Sequence, residues 1–451
     1  MQQQESVSPS EAVRLSNILT FFVPLGLAAS LITLSHVIIN SVLSRAAQPE
    51  LVIAAYQIAL SIFTITERPA FLLRQTTSAL SGDRVSFRAM RKLTMLLIGF
   101  TLLIGFLIGF TPLGEWLFRL VFNTDDATTP AVVNTYRVVM FVTVFSAMRC
   151  LYQGIIIRNM QTKWLTIGMG VRLTTMYGIG LVFMSRPASI NETTGAWLFL
   201  VGMAVEALVS WLEGRRIYCA MPEQAKDGSV RNVRGVLPFY RPLLFSSFIA
   251  VIVSPSINAV LGKTEQIEVS IASYAIALSV VNLVNSFFTY IHQIVLNFYQ
   301  KDARTVFHFA LGAAMIPGLL VILLSYTPLG HWFVGSVMGV QGVLLQGSLS
   351  VLRVMAIISF IFPWVDYCNG LCMLNKRTNI MLWSQTSNVA TTLVMLFVLI
   401  VAAPHWNGVV GALASSCGIT AELIIVYTLL RRNLAVRTLK NVQPSNPVMR
   451  R

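Results

Sequence analysis

The sequence predicts an all-α polytopic membrane protein with twelve transmembrane helices in two parallel six-helix repeats. Three observations carry that expectation. The 451-residue chain is 55% hydrophobic and only 11% charged, with a mean hydropathy of +0.70, so its apolar surface exceeds what one soluble core can bury. Twelve apolar runs are long enough, at roughly 20 residues or more, to cross a bilayer. The chain also matches itself. A shift of 218 residues puts Pro24-Leu25 on Pro242-Leu243, Asn40 on Asn258 and Tyr56 on Tyr274; a two-residue deletion later, a shift of 216 puts Thr111-Pro112-Leu113-Gly114 on Thr327-Pro328-Leu329-Gly330. Duplicated membrane proteins commonly move a solute between their homologous halves.

The runs lie near 16–43, 51–80, 93–114, 134–157, 163–185, 195–214, 238–262, 269–299, 304–326, 346–374, 378–403 and 407–430. The first follows a polar start and is too long for a cleavable signal, so it reads as a signal anchor. The second ends at the basic stretch Gly82-Asp83-Arg84. Pro112 stops the third and Pro328 the ninth, each followed by Gly and Trp, a helix end with an interfacial aromatic. The fourth ends at Arg158, the fifth begins at Lys163, and the sixth ends at Arg215-Arg216. A polar linker over 217–237 joins an N-lobe (1–216) to a C-lobe (238–432), and a basic tail occupies 433–451. Prolines 24, 69, 242, 255, 317 and 363 fall inside helices; Pro69, Pro255 and Pro363 have no counterpart in the other half and are expected to mark bends.

The net charge of +15 is concentrated in the loops after even-numbered helices and in the tail. By the positive-inside rule both termini are cytoplasmic, in a multi-pass plasma (inner) membrane protein, and the two halves share one orientation. Anionic headgroups account for this charge, and no nucleic-acid partner is implied. The five cysteines show neither disulfide nor zinc spacing, no cofactor or metal is expected, and a monomer is anticipated. Without a Walker loop, an HExxH helix or a nucleophile elbow, the chain is expected not to be an enzyme and not to hydrolyse ATP.

Ionisable residues deep in a membrane are costly and tend to face a partner or a cavity. The duplication sorts them. Glu206 and Glu422 match in the motif G-A-x5-G-x3-E, and Arg137 matches Arg353 one turn into a helix, where snorkelling to headgroups would accommodate it. Arg74 corresponds to His292 and Arg172 to Asn388. Arg172 can pair with Glu206, whereas Arg68, Arg74 and Arg149 have only Glu67 left to neutralise them. Surplus guanidinium favours carboxylate or phosphate, which its planar fork binds bidentately. Candidate substrate contacts are therefore Arg68, Arg74, Arg149, Arg172 and His292, with the matched pairs Asn40/Asn258 and Tyr56/Tyr274. Candidate coupling residues are Glu67, Asp366, His36, Glu206 and Glu422, for a proton or sodium ion.

Phe22-Val23-Pro24-Leu25-Gly26 with Asn40, Pro242-Leu243 with Ser254-Pro255 and Asn258, and Gly408-Val409-Val410-Gly411-Ala412 with Gly418 and Glu422 together resemble the multidrug/oligosaccharidyl-lipid/polysaccharide (MOP) exporter superfamily. Within it the chain is MATE-like and most similar to the progressive ankylosis family. That resemblance spans the chain and implies V-shaped six-helix lobes, a central cavity, alternating access and export of a small anion of the pyrophosphate, nucleotide or citrate kind. It departs from many MATE exporters in lacking a carboxylate in the first or seventh helix, where His36 and Thr33 stand in the first. The expected function is secondary active export of a small organic or phosphate-bearing anion through a basic cavity. A flippase for a lipid-linked phosphate precursor, a multidrug exporter, an intramembrane enzyme and a receptor scaffold are the alternatives.

Overall fold

The computed structural model describes residues 14–43, 45–122, 126, 128–224, 230–251, 253–261, 263–338 and 340–442, and every regular element among them is helical. Among the described residues, twelve helices are long and apolar enough to cross a bilayer. In chain order, spans 1 to 12 are Leu15–Leu43, Leu51–Leu80, Arg84–Phe110, Thr128–Arg158, Lys163–Met184, Thr194–Ala220, Val233–Leu261, Val269–Phe298, Ala303–Tyr326, Gly342–Leu374, Asn379–Ala402 and Gly408–Arg432.

Several helices outrun their apolar cores, and span 3 does so behind a polar cap. Span 3 starts at Arg84, not at 93, since the Asp83 carboxylate accepts the Ser86 backbone N–H at 2.7 Å and Ser86 Oγ accepts the Asp83 N–H at 3.3 Å, a capping box. Span 6 runs to Ala220 and span 7 starts at Val233, so the linker is shorter than the expected 217–237. Its residues 225–229 lie outside the described residues, as do 1–13 and 443–451. The last helix continues to Val442, beyond Arg432 where a tail was expected.

The chain forms two compact units. The first holds the residues up to Phe248 together with Ser286–Phe309, and the second holds Ile249–Asn285 and everything from Ala310 onward. The division thus falls inside spans 7, 8 and 9 instead of at the linker. In the first unit span 4 packs on spans 2 and 6, and span 5 on spans 1 and 6; in the second, span 12 packs on spans 10 and 11, and span 11 on the later part of span 7. Matched glycines permit matched packing. A Cβ on Gly195 would lie 3.0 Å from the Tyr56 ring, and one on Gly411 would lie 3.0 Å from the Tyr274 ring. The cores are apolar side chains such as Ile39, Val42, Phe63 and Met176 in the first unit and Val281, Val351, Met355 and Leu396 in the second. Exposed Leu96, Phe100 and Leu103 on span 3, and Phe397 and Val401 on span 11, face outward, as suits helices with lipid for a neighbour.

The three unpaired prolines lie within regular helix. The second helix passes uninterrupted through Pro69, the tenth span passes through Pro363, and Pro255 lies within the helix Val253–Leu261. Regular helix breaks instead at Met140–Phe141 in span 4 and over Phe287–Tyr290 in span 8. A membrane helix tolerates the one hydrogen bond a proline removes where other groups serve the backbone; near this site the Tyr240 hydroxyl donates to the Pro69 carbonyl at 2.8 Å. Under the 218-residue shift, Phe287 stands where the first half has Pro69. The halves therefore differ here in residue and in helix continuity.

The repeated Thr-Pro-Leu-Gly motif ends one helix and begins another. Pro112 and Pro328 take the first helical position, where no N–H is needed, and Thr111 and Thr327 accept the N–H of Leu113 and Leu329 at 3.3 Å. The turn folds back so tightly that a Cβ on Gly114 would overlap the Ile108 carbonyl oxygen, and one on Gly330 would overlap that of Leu324. Gly114→Ala and Gly330→Ala should each lower stability by about 1–3 kcal/mol, the usual penalty for overpacking. Thermal unfolding in detergent checks this, and an unmoved midpoint would mean that the turn yields freely.

Arg137 and Arg353 each serve the end of a neighbouring helix. Arg137 Nε donates to the Gly109 carbonyl at 2.7 Å, with its guanidinium 5.2 Å from the Phe110 ring centroid; Arg353 Nε donates to the Ser325 carbonyl at 3.2 Å, with its guanidinium 5.0 Å from Tyr326. The last carbonyls of a helix lack intrahelical donors and carry partial negative charge, so a cation there is doubly favoured.

Candidate functional site

The deep charges of the first unit converge on Glu206. Span 6 presents Gly195, Phe199, Gly202 and Glu206 at spacings of four, three and four residues, which places them on one face, and Glu206 is only 2% exposed. Arg149 Nη1 of span 4 donates to its Oε1 at 3.1 Å, and Arg172 Nη1 of span 5 donates to its Oε2 at 2.9 Å. Gln153, one turn beyond Arg149, donates to Glu206 Oε1 at 3.0 Å and accepts from Arg74 Nη1 of span 2 at 3.4 Å. Side chains from four spans thereby join one network. Arg149 is corrected from a cation without an acid to one sharing its acid with Arg172. The two partners are 57 residues apart in sequence, beyond the reach of local spacing.

Around this network the positive charge is incompletely balanced. The Arg74 guanidinium lies 4.9 Å from the Phe71 ring and 4.8 Å from the Tyr290 ring, and the ring of His292, its sequence counterpart, is 6.0 Å from the same Tyr290. Glu67 accepts a hydrogen bond from the Ser146 hydroxyl. Arg68 is half-buried, and its Nε is buried without a hydrogen-bond partner among the described residues. Four deep guanidiniums, Arg68, Arg74, Arg149 and Arg172, thus face two carboxylates, Glu67 and Glu206.

A second feature adjoins the first. Arg172 Nε and Nη2, the Tyr56 hydroxyl and His36 Nδ1 are all buried, and none has a hydrogen-bond partner among the described residues. The Phe199 ring centroid lies 5.4 Å from the Arg172 guanidinium and 5.7 Å from the His36 ring, and Phe199 and Tyr56 belong to the same buried cluster. The duplication shows why Tyr56 lacks a partner. In the second unit the matched Tyr274 hydroxyl lies 3.1 Å from Ser415 Oγ, and the residue matching Ser415 is Phe199. Asn40, also in span 1, accepts a hydrogen bond from Gln57 at 3.3 Å.

The second unit keeps the glutamate and loses its cations. Glu422 is 6% exposed and accepts from Asn388 Nδ2 at 2.6 Å. Asn388 stands where the first half has Arg172, Val365 where it has Arg149, and Asn369 where it has Gln153. Glu422 forms no ion pair with any described residue, and Asn369 Oδ1 is buried without a partner. Asp366 is half-buried on span 10, and Asn258 is exposed on the later part of span 7. Tyr274, Asn258, Asp366 and Glu422 all belong to this unit, and the other candidates to the first. Among the described residues no group of three or more His, Cys, Asp or Glu side chains could hold a metal ion, and the five cysteines are free.

Sequence reasoning missed Gln153, Phe199 and Ser146. For Gln153 a signal existed, since an amide occupies the same place in both halves as Gln153 and Asn369. For Phe199 the signal was the failed match with Ser415. Nothing local marked Ser146.

No protein-family model matches the chain, and no curated protein matches it in sequence. Solved structures do match in fold. An outward-facing multidrug resistance MATE family transporter of the MOP superfamily superimposes with a TM-score of 0.74 at 15% identity, covering 93% of this chain and 96% of that one. A MOP superfamily transporter from Pyrococcus furiosus, reported to have a binding pocket of reverse polarity that suggests a different function, gives 0.74 at 14% identity over 93% and 96%. A MATE protein in a bent conformation gives 0.74 at 14% identity over 95% and 97%. The chain has the fold of these proteins.

Proposed function

We propose that this chain, which has the fold of MATE-type transporters, is a secondary transporter that exports a small organic or phosphate-bearing anion by alternating access. The observation that supports this reading is the set of buried, unpartnered groups around Arg172. A guanidinium only donates hydrogen bonds, a phenol donates readily, and an imidazole nitrogen can donate in the matching tautomer. Such a lining lacks acceptors, which a carboxylate or phosphate supplies. The excess of four guanidiniums over two carboxylates favours the same charge, and cationic drugs fit it poorly. The Pyrococcus furiosus transporter with reversed pocket polarity is a precedent for such an inversion on this fold.

Glu422 is the best candidate for coupling. A buried carboxylate without a cation beside it is costly as an anion, so it is suited to carrying a proton or a monovalent cation, whereas Glu206 is held by two arginines.

Tyr56→Phe tests the anion site. Loss of one hydrogen bond to a charged ligand, about 1.5 kcal/mol, should raise the KM for anion efflux from proteoliposomes about tenfold, while removal of an unsatisfied buried hydroxyl leaves thermal stability equal or higher. A KM unchanged by the substitution, or transport of cations instead of anions, would sink the reading.

A further inference from the structure

A second concentration of charge lies apart from the buried network, at the end of the first unit where spans 3 and 7 begin. Arg88, Arg91 and Lys92 on the first turns of span 3, and Arg231 and Arg234 at the entry to span 7, line one cleft of about 590 Å³. The two segments are some 140 residues apart in sequence, yet the fold gathers five cations around one space, and among the described residues no carboxylate lines it. Among the described residues only Arg88 of the five has an acidic partner, the exposed Glu223 at 3.4 Å; ion pairs of this kind contribute little. Other basic residues at this end are used structurally. Arg84 donates to the carbonyls of Tyr218 and Cys219 at the end of span 6, and Arg158 donates to those of Ser78 and Ala79 at the end of span 2, at 2.9 and 3.2 Å. By contrast, Arg91, Lys92, Arg231 and Arg234 make no hydrogen bond or ion pair with any described residue.

Helix capping therefore does not explain the five. The positive-inside tendency explains basic residues at this end, but not their gathering around one cleft from two distant segments. Like charges so placed repel one another, and a polyanion seated among them removes that cost while engaging several guanidinium forks at once. Continuing from Arg91 and Lys92, span 3 presents Met95 and Leu96, 54% and 63% exposed, an apolar surface of the kind acyl chains cover.

We infer that this cleft is a binding site for a phosphate-bearing polyanion, with the headgroup of an anionic lipid as the form that also meets Met95 and Leu96. Occupancy would tie the linker that enters span 7 to the start of span 3. The inference is independent of which solute the protein transports.

The purified full chain in neutral detergent micelles provides the test, with a fluorescent short-chain phosphatidylinositol phosphate and inorganic pyrophosphate as probes. Saturable lipid binding is expected to weaken at least tenfold when Arg91, Lys92, Arg231 and Arg234 are all changed to glutamine, in line with the loss of headgroup attraction at each site. Arg431→Gln with Arg432→Gln, at the end of span 12, serves as the charge control and should leave binding within about twofold. Competition by pyrophosphate with the same mutational loss would assign the site to soluble phosphates; no competition would assign it to lipid. Since all four side chains are exposed and unpaired, the variant should elute and unfold like the parent. If it does not, Arg231→Gln with Arg234→Gln alone supplies the comparison. Equal loss in the control, or no saturable binding of either probe, overturns the proposal.

Discussion

Replacing Glu206 with glutamine should destabilise the protein by about 3–5 kcal/mol, the range for removing one partner from a buried ion pair. The same replacement at its repeat counterpart, Glu422, should cost less than about 1 kcal/mol. Both carboxylates are almost fully buried, at 2% and 6% exposure, so burial alone predicts no such difference. The difference arises from the partners. Glu206→Gln takes the carboxylate from between Arg149 and Arg172, which lie 3.1 and 2.9 Å from its oxygens, and leaves Glu67 as the one carboxylate facing four deep guanidiniums. In Glu422→Gln the new amide oxygen can still accept from Asn388, and no buried cation is left behind. Denaturant or thermal unfolding of the purified protein in one detergent checks the contrast. Equal losses would show that the arginine pairs contribute nothing beyond packing.

Glu422→Gln should instead damage function. If Glu422 carries the coupling proton or cation, proteoliposomes bearing this variant should lose at least about tenfold of the acceleration produced by an imposed proton or sodium gradient. Exchange driven by the substrate's own gradient should persist. Asn388→Arg should give the same phenotype by another route. It restores in the second unit the guanidinium that Arg172 supplies in the first and pairs the carboxylate permanently, without removing it. A gradient response retained by both variants would exclude Glu422 and turn attention to Glu67 or Asp366. The two Glu422 experiments differ from the Tyr56→Phe test in what they measure, coupling in one case and substrate affinity in the other, so each can fail alone.

The distribution of charge was only partly legible in the sequence. The duplication equates Glu206 with Glu422 and Arg172 with Asn388, and that alignment is enough to place the acid and one cation of the network on neighbouring helices. It does not show that Arg149 reaches Glu206, because residues 57 apart meet only when spans 4 and 6 pack with particular faces inward. The same limit applies to Arg137 and Arg353. Their spacing is compatible with lipid headgroups, and only the adjacent ends of spans 3 and 9 turn them into caps. Proline positions did not mark the interruptions of regular helix, since Pro69 and Pro363 sit in unbroken helices while Phe287–Tyr290 interrupts span 8. A missing N–H is a local property, whereas a break depends on whatever packs beside the helix.

By itself, the sequence determined the twelve apolar spans, the duplication with its Thr-Pro-Leu-Gly turns, and the buried glutamate repeated in each half. All of these rest on local hydropathy or on short-range turn chemistry, which a chain carries wherever it folds. Only the tertiary structure decided which cations those glutamates meet, that Tyr56 and Arg172 keep donors without acceptors, and that five surface cations share one cleft. These depend on the rotation of each helix about its axis and on its neighbours, quantities set by packing energy summed across distant residues.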